Sequence, residues 1–466
     1  MIKRTFEITS VLLKYLVFYN FNQHKNKIFG KRLRESFENL GLTFIKIGQV
    51  LSMRIDIFSQ KNCKELQKLL DNVNPLDYEI IREIIVKDFR KTPEKLFRKF
   101  NKNPIASASI SQVHKGILKD GTVVAIKIKR PEVDEKIKKD IRISKIIFFI
   151  AKIFSSTLRC IKISELIVHF EKWLENETDF KKEEKNLLKA RIQYNFVHQK
   201  KFRKDLGKGF FPISYPKFCS ENIITMDFAE GVPLTKIDSI KNNPNYDIFK
   251  SFKTYLSAGT RNMFNCEEYL FQADPHLSNI LILPNGDFSN IDYGLTEELN
   301  KKDTFFVKNI FLAIYTKNSQ DLIKFALELS NVEHKQYAYI IEEDVKIFLE
   351  KTKNEGIGFW FMGIIKILIK YKIPIPTSIS SFARCCVILD GLTQTIFPGK
   401  TTVDIMGDEL KMAAVKQIID NIKNIDIFPV IYTFANKIKE IPEFIDDIVN
   451  NPLETLKEIK NLIKDC

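Results

Sequence analysis

Apolar positions early in the chain recur at helical spacing, at Phe37, Leu40 and Phe44, and prolines at Pro75 and Pro93 interrupt them, which predicts helices up to about residue 100. The period then changes. Gln112 to Leu118 and Val123 to Lys127 are strand-like segments on either side of an Asp120-Gly121 turn, which predicts a hairpin. The basic-apolar run 136–175 returns to helix, and Ile223 to Gly231 reads as a strand leaving into a linker. Ile280 to Leu283 and Asn290-Ile291 flank Pro284-Asn285-Gly286-Asp287, a second hairpin with turn residues at its tip. After about residue 300 the pattern is helical throughout, and Phe305, Phe306, Phe311 and Phe325 read as core positions. Residues 430–466 read as amphipathic helix broken at Pro442 and Pro452. There Leu453, Leu456, Ile459 and Ile463 form one stripe, suited to docking on the protein body or at a membrane surface.

Composition narrows the class. A chain of 466 residues, 44% hydrophobic, exceeds one average domain and can fill a large core. The longest apolar stretches, Gly356 to Ile365 and Ile146 to Ala151, fall well short of the roughly 20 residues that span a bilayer. The N-terminus carries acidic residues and too short an apolar run for a signal peptide, and it lacks the Arg/Ser-rich, acid-poor character of a transit peptide. The seven cysteines show no Cys-x-x-Cys spacing and the six histidines are scattered, so neither a zinc site nor a disulfide framework is expected. The net charge of +15 suits an anionic membrane surface or nucleic acid. Basic residues are nevertheless spread along the chain with no nucleic-acid motif, so no nucleic-acid partner is expected.

The candidate chemistry lies around the second hairpin. Asp274, Asn279 five positions on, and Asp292-Tyr293-Gly294 thirteen further have the spacing of a kinase catalytic loop and metal-binding loop. Phosphoryl transfer needs a carboxylate near the accepting hydroxyl, and oxygen ligands for the Mg²⁺ that bridges the phosphates. Asn279 and Asp292 offer hard oxygens that suit Mg²⁺ and would suit zinc poorly. Alone, the triple could be a coincidence in a loop-rich stretch. Upstream, however, Val123-Val124-Ala125-Ile126-Lys127 has the form of the strand whose lysine pairs the α/β-phosphates of ATP and a helix glutamate. Where a glycine-rich loop should precede it, Ala106, Ser107, Ala108 and Ser109 stand instead. Without glycines a wider or differently shaped turn is expected, with serine hydroxyls available to phosphate.

With these motifs in order, the chain resembles the UbiB-type atypical kinases, kinase-like proteins associated with ubiquinone and other isoprenoid-lipid metabolism. Four motifs carry the resemblance: Lys46-Ile47-Gly48-Gln49 within Gly41 to Arg54, the Ala-rich loop running into Lys127 to Pro131, Glu177-Thr178-Asp179 followed by Glu183 and Asn186, and Asp274 to Gly294. The resemblance implies an α+β, protein-kinase-like two-lobed fold with an N-terminal helical extension and a largely helical C-lobe. It implies ATP and Mg²⁺ as cofactors, with Lys127 as the nucleotide lysine and Glu183 as its helix-borne partner. It also makes Asp274 the catalytic-loop carboxylate and Asn279 and Asp292 the metal ligands. Lys46 and Gln49 would fold over the site as a gate, with Lys46 meeting Glu177 and Asp179. Because positions two apart on a helix do not share a face, those two carboxylates are expected at a helix end or irregularity. Departures from the family pattern are Gln272 for a histidine, Leu277-Ser278 for Pro-Gly, Ser107 and Ser111 around the Ala-rich loop, and Tyr293 for phenylalanine.

The expected organisation is a helical extension over 1–100, an N-lobe with helical insert over 101–230, a C-lobe over 231–429, and C-terminal helices over 430–466. The strand ending near Gly231 would lead into the hinge that holds adenine. The function this implies is an ATPase, or a phosphotransferase to a small or lipid-like acceptor, supporting ubiquinone biosynthesis. A catalytically silent nucleotide-binding scaffold is the alternative, and small-molecule phosphotransferases share the Asp274/Asn279 spacing but lack Lys46–Gln49 and the Glu177/Asp179 pair. Expected partners are isoprenoid quinone precursors or membrane lipid, and ubiquinone-biosynthetic enzymes. The expected place is the bacterial cytoplasm, peripheral on the inner membrane, with a mitochondrial location as the alternative.

Overall fold

The first hairpin forms where alternation predicts it. A computed structural model describes residues 3–11, 29–52, 59–66, 68–69, 73–154, 163–198, 206–316, 319–320, 323–324, 338–352, 355–371, 373 and 375–423. Strands β3 (Ser111–Ile117) and β4 (Val123–Lys129) pair antiparallel, with Val113 opposite Lys127. The turn between them takes φ +93° at Gly121, and the Asp120 carboxylate accepts the Thr122 N–H. Strand β6 (Ile223–Asp227) flanks β4, while β1 (Lys99–Phe100) and β2 (Ala106–Ser107) pair with β3. Val124, Ile126 and Ile128 are completely buried on one face, in a core with Ile81 and Ile85 of the helix Tyr78–Phe89. Successive strand residues alternate, so Lys127 emerges on the other face.

This sheet belongs to one of two compact units, comprising Met1–Leu187, Pro212–Phe228 and Tyr293–Leu295. Helices Phe29–Leu40, Leu42–Leu51 and Gln60–Leu66 precede the sheet and share a core of Phe37, Phe44 and Leu66. Helices Val133–Phe154 and Ile163–Thr178 lie between β4 and the helix Phe180–His198 in the chain.

The second unit comprises Leu188–Phe211, Ala229–Asp292 and Thr296–Cys466. Its described helices Ile248–Asn265, Lys301–Thr316, Ala338–Lys351, Ile357–Lys370, Thr377–Ile396 and Thr402–Lys423 enclose a core rich in aromatic side chains, among them Phe252, Phe311, Phe361 and Phe382. Phe306 and Phe311 are buried as expected, but Phe305 is 56% exposed. The buried stripe through Phe306, Val307, Ile310 and Phe311 turns position 305 outward. Phe325 and the stripe from Leu453 to Ile463 lie outside the described residues.

The second hairpin also forms, from β9 (Ile280–Ile282) and β10 (Phe288–Asn290), flanked by β5 (Gly209–Phe210) and β7 (Val232–Pro233). Its turn is left-handed at Asn285 (φ 64°) and Gly286 (φ 81°), and a Cβ on Gly286 would come within 2.3 Å of the Lys250 side chain. Alongside, β8 (Tyr269–Gln272) pairs with β11 (Thr296–Leu299). No helix among the described residues is long and apolar enough to cross a membrane. Mixed sheets and helices in two units give the expected α+β class.

Candidate functional site

The candidate residues fall into one group in each unit. In the first, Lys127 on β4 donates to both carboxylate oxygens of Glu183, at 2.8 and 2.9 Å. Lys127 and Glu183 are 14% and 5% exposed, so the pair is largely shielded from water and breaking it would leave a buried charge uncompensated. The ammonium also lies 5.2 Å from the ring centroid of Phe180, which is itself buried.

Glu183 is set by the break between two helices. The Asp179 side chain accepts the Lys182 N–H at 2.9 Å, capping the helix Phe180–His198, and the Asp179 carbonyl accepts the Glu183 N–H. Glu177 lies in the last turn of the preceding helix and forms an ion pair with Lys46. Both carboxylates therefore flank an irregularity as expected, but they divide the work: Glu177 meets Lys46 while Asp179 starts the helix that carries Glu183. Gln49, the other residue expected at the gate, donates to the Leu69 carbonyl at 3.4 Å. Between Lys46 and Gln49, a Cβ on Gly48 would meet Leu69 at 2.3 Å and Phe37 at 2.7 Å, so the glycine lets this helix pack closely.

The Ala-rich loop is narrower than the sequence led one to expect. Ala106 pairs with Val113 and Ser107 with Gln112, and the Ala108 N–H donates to the Ser111 carbonyl at 2.8 Å. Only Ser109 and Ile110 remain to turn the chain. The non-glycine positive φ angles among the described residues are at Arg90, Glu132 and Asn285, so this loop needs no glycine. The Ser107 hydroxyl accepts from Arg130 at 2.7 Å and so helps to hold the loop, while Ser109 is buried. Beneath it, His114 is held neutral because burial lowers its pKa; its Nδ1 meets the Asn101 carbonyl at 2.8 Å and its Nε2 meets Gln112 Nε2 at 2.9 Å.

In the second unit, Asp274 lies in the loop after β8, and His276 Nε2 is 3.7 Å from its carboxylate. The loop closes with the Asn279 N–H donating to the His276 carbonyl, and the hairpin then returns the chain so that the Ile291 N–H donates to the Asn279 carbonyl. This brings Asn279 Nδ2 to 3.3 Å from Asp292 Oδ2. That contact is an amide donor meeting a carboxylate, and Asn279 Oδ1 accepts from Ser278 Oγ at 3.3 Å, so the amide would have to turn over to set its oxygen beside Asp292 toward a cation. Among the described residues there is no group of three or more His, Cys, Asp or Glu side chains able to hold a metal.

Gln272, which stands for the family's histidine, links two elements. Its Nε2 donates to the Asp292 carbonyl at 3.1 Å and its Oε1 accepts from Asn290 Nδ2 at 2.8 Å, tying β8 to the β9–β10 hairpin and the residues that follow it. Burial, with the negative charge of Asp274 adding to it, pushes the Cys385 thiol up to about 12, so that sulfur is no nucleophile. Tyr293 is buried in the first unit, where its carbonyl accepts from Asn186 Nδ2 at 3.0 Å. Asn186, one helical turn beyond Glu183, had a place in the motif but no foreseeable partner. Arg130 likewise stood within the second motif with no foreseeable partner.

The ABC1 atypical kinase-like domain model matches residues 68–326, a span that contains Lys127, Glu183 and the Asp274 to Gly294 segment. The chain belongs to the ABC1 atypical kinase-like family. An uncharacterized protein in the hydrogenase 1 5′ region of Clostridium pasteurianum is 30% identical over 414 residues, covering 85% of this chain and 74% of that protein. The probable protein kinase UbiB of Shewanella pealeana is 26% identical over 449 residues, covering 94% of this chain and 79% of its own length. The corresponding UbiB protein of Histophilus somni is 26% identical over 434 residues, covering 85% and 77%. The UbiB resemblance and the kinase-like α+β fold thus hold for this member of the family.

Proposed function

We propose that this chain binds ATP with Mg²⁺ and either hydrolyses it or transfers the γ-phosphoryl group to a small or lipid-like acceptor, in support of ubiquinone biosynthesis. The observation that carries this reading is the bidentate, largely buried Lys127–Glu183 pair, since an ammonium held so rigidly is preorganised for phosphate. Asn279 and Asp292 would hold Mg²⁺, which when bound supplies charge neutralisation across the β- and γ-phosphates. Lys127, fixed by Glu183, would orient the α- and β-phosphates. Asp274 would accept a hydrogen bond from the attacking hydroxyl or water and align it. Lys46, paired with Glu177, would restrict access from the N-terminal helices, which favours a small acceptor or water over a peptide. The acceptor class we propose is an isoprenoid quinone precursor or membrane lipid, met at the inner face of a bacterial membrane by a peripheral protein; the net charge of +15 supports that placement.

Mg²⁺-dependent phosphate release, with and without anionic vesicles, tests the reading. Asp274→Asn should lower turnover roughly a hundredfold or more while leaving nucleotide affinity nearly unchanged. Equal rates for the two proteins would replace the enzyme with a nucleotide-binding scaffold. Asp292→Asn should abolish the Mg²⁺ dependence of nucleotide binding, and unchanged affinity would remove the metal assignment.

A further inference from the structure

Arg130 directly follows β4 and reaches back across the Ala-rich loop. Its backbone N–H donates to the Ile110 carbonyl at 2.8 Å, its Nε to the Ala108 carbonyl at 2.8 Å and its Nη2 to Ser107 Oγ at 2.7 Å. The same Nη2 donates to the Asn74 carbonyl at 2.8 Å. Asn74 lies in a strap that runs along the loop, where the Leu76 N–H donates to Gln112 Oε1 at 2.8 Å. One planar guanidinium therefore ties Ser107 and Ala108 of the loop to the strap beside them, a task its fork can perform and a lysine's point charge cannot, while the backbone N–H holds Ile110.

We propose that Arg130 is a positioning residue for nucleotide binding, holding the Ala-rich loop in one closed shape and so replacing the adaptable glycine backbone that kinase-like proteins use over phosphates. Charge-assisted hydrogen bonds are stronger than neutral ones; here two reach the loop at Ser107 and Ala108, just before its two-residue turn, and a third reaches Asn74 beside it. The loop's carbonyls at 108 and 110 are thereby directed onto the arginine, away from an anionic ligand they would repel. The inference rests on the nucleotide reading above for its kinetic consequence, but the clamp itself is independent of it.

Two measurements test it. In steady-state kinetics with Mg²⁺-ATP, Arg130→Ala should raise KM roughly tenfold with kcat within about twofold, Ser107→Ala should raise KM roughly two- to threefold, and Arg130→Lys should stay close to the alanine variant. Full recovery by lysine, an unchanged KM in folded Arg130→Ala protein, or parallel loss of both parameters with a fallen melting temperature would each overturn the positioning role. Hydrogen–deuterium exchange over residues 106–111 reads the clamp without nucleotide. Exchange there should speed up roughly tenfold or more in Arg130→Ala, and equal protection in variant and wild type would overturn the clamp. If the wild type turns over no ATP but exchange accelerates in the variant, the nucleotide reading fails and the clamp stands.

Discussion

Two glycines near the gating motif separate steric need from conformational need. Gly41, between helices Phe29–Leu40 and Leu42–Leu51, has φ +80° and no atom within 4 Å of a built Cβ, so Gly41→Ala should cost only about 1 kcal/mol of backbone strain. At Gly48 a Cβ would overlap both Leu69 and Phe37, so Gly48→Ala should cost about 1–3 kcal/mol and give the larger fall in melting temperature. The motif's glycine was visible in the sequence; the wall it packs against was not, because Leu69 stands 21 positions away. Asp390 gives a residue-level prediction for pH. Burial raises its pKa to about 6, although it accepts hydrogen bonds from the Phe359 N–H and Thr402 Oγ1. Because the folded state binds this proton more tightly than the unfolded chain, its contribution to stability is full below about pH 4 and is lost as pH rises through about 6. Asp390→Asn should flatten that part of the stability profile in urea titrations at successive pH values, and an unaltered slope between about pH 4 and 6 would contradict the assignment.

Between elements, single polar side chains do the joining. Gln272 ties β8 to the hairpin that carries Asn279 and Asp292, through the Asp292 carbonyl and Asn290. Gln272→Ala should lose about 1–2 kcal/mol of stability and lower turnover, whereas Gln272→His should retain most of the turnover by restoring one donor to the Asp292 carbonyl. A histidine variant as slow as the alanine variant would show that the bond to Asn290 matters more. The elements themselves were legible: alternation in Val124, Ile126 and Ile128 and turn residues in Asp120-Gly121 and Asn285-Gly286 dictate both hairpins. Without glycines the Ala-rich loop is expected to be wider or differently shaped, and it is the shape that differs. Pairing of β2 with β3 allows a tight turn at ordinary negative φ, which composition alone does not reveal.

For the whole molecule, the charge of +15 sets the expectation for surfaces. If the protein meets anionic lipid, vesicle sedimentation should fall steeply as ionic strength rises from about 0.01 M to about 1 M, over which the Debye length shrinks from roughly 30 Å to 3 Å. Binding that persists at the higher salt would instead point to apolar insertion. The division into two compact units also belongs to this scale. Tyr293–Leu295 groups with the first unit although Asp292 groups with the second, and no local pattern in Asp292-Tyr293-Gly294 marks that boundary.

Period and spacing sufficed for what is local: the hairpins, the helical run after residue 300, and the order Lys127, Glu183, Asp274, Asn279, Asp292, since these depend on neighbours in the chain and on residue chemistry. Tertiary structure alone decided which partner each polar group found: Glu177 with Lys46 while Asp179 caps a helix, Asn186 with the Tyr293 carbonyl, Gln272 with the Asp292 carbonyl, and Arg130 across the Ala-rich loop. Those bonds join residues whose separation runs from 3 to 131 positions of sequence to within hydrogen-bonding reach, and hydrogen bonding is short-ranged and directional. A one-dimensional pattern carries the donors and acceptors; only the folded backbone aims them.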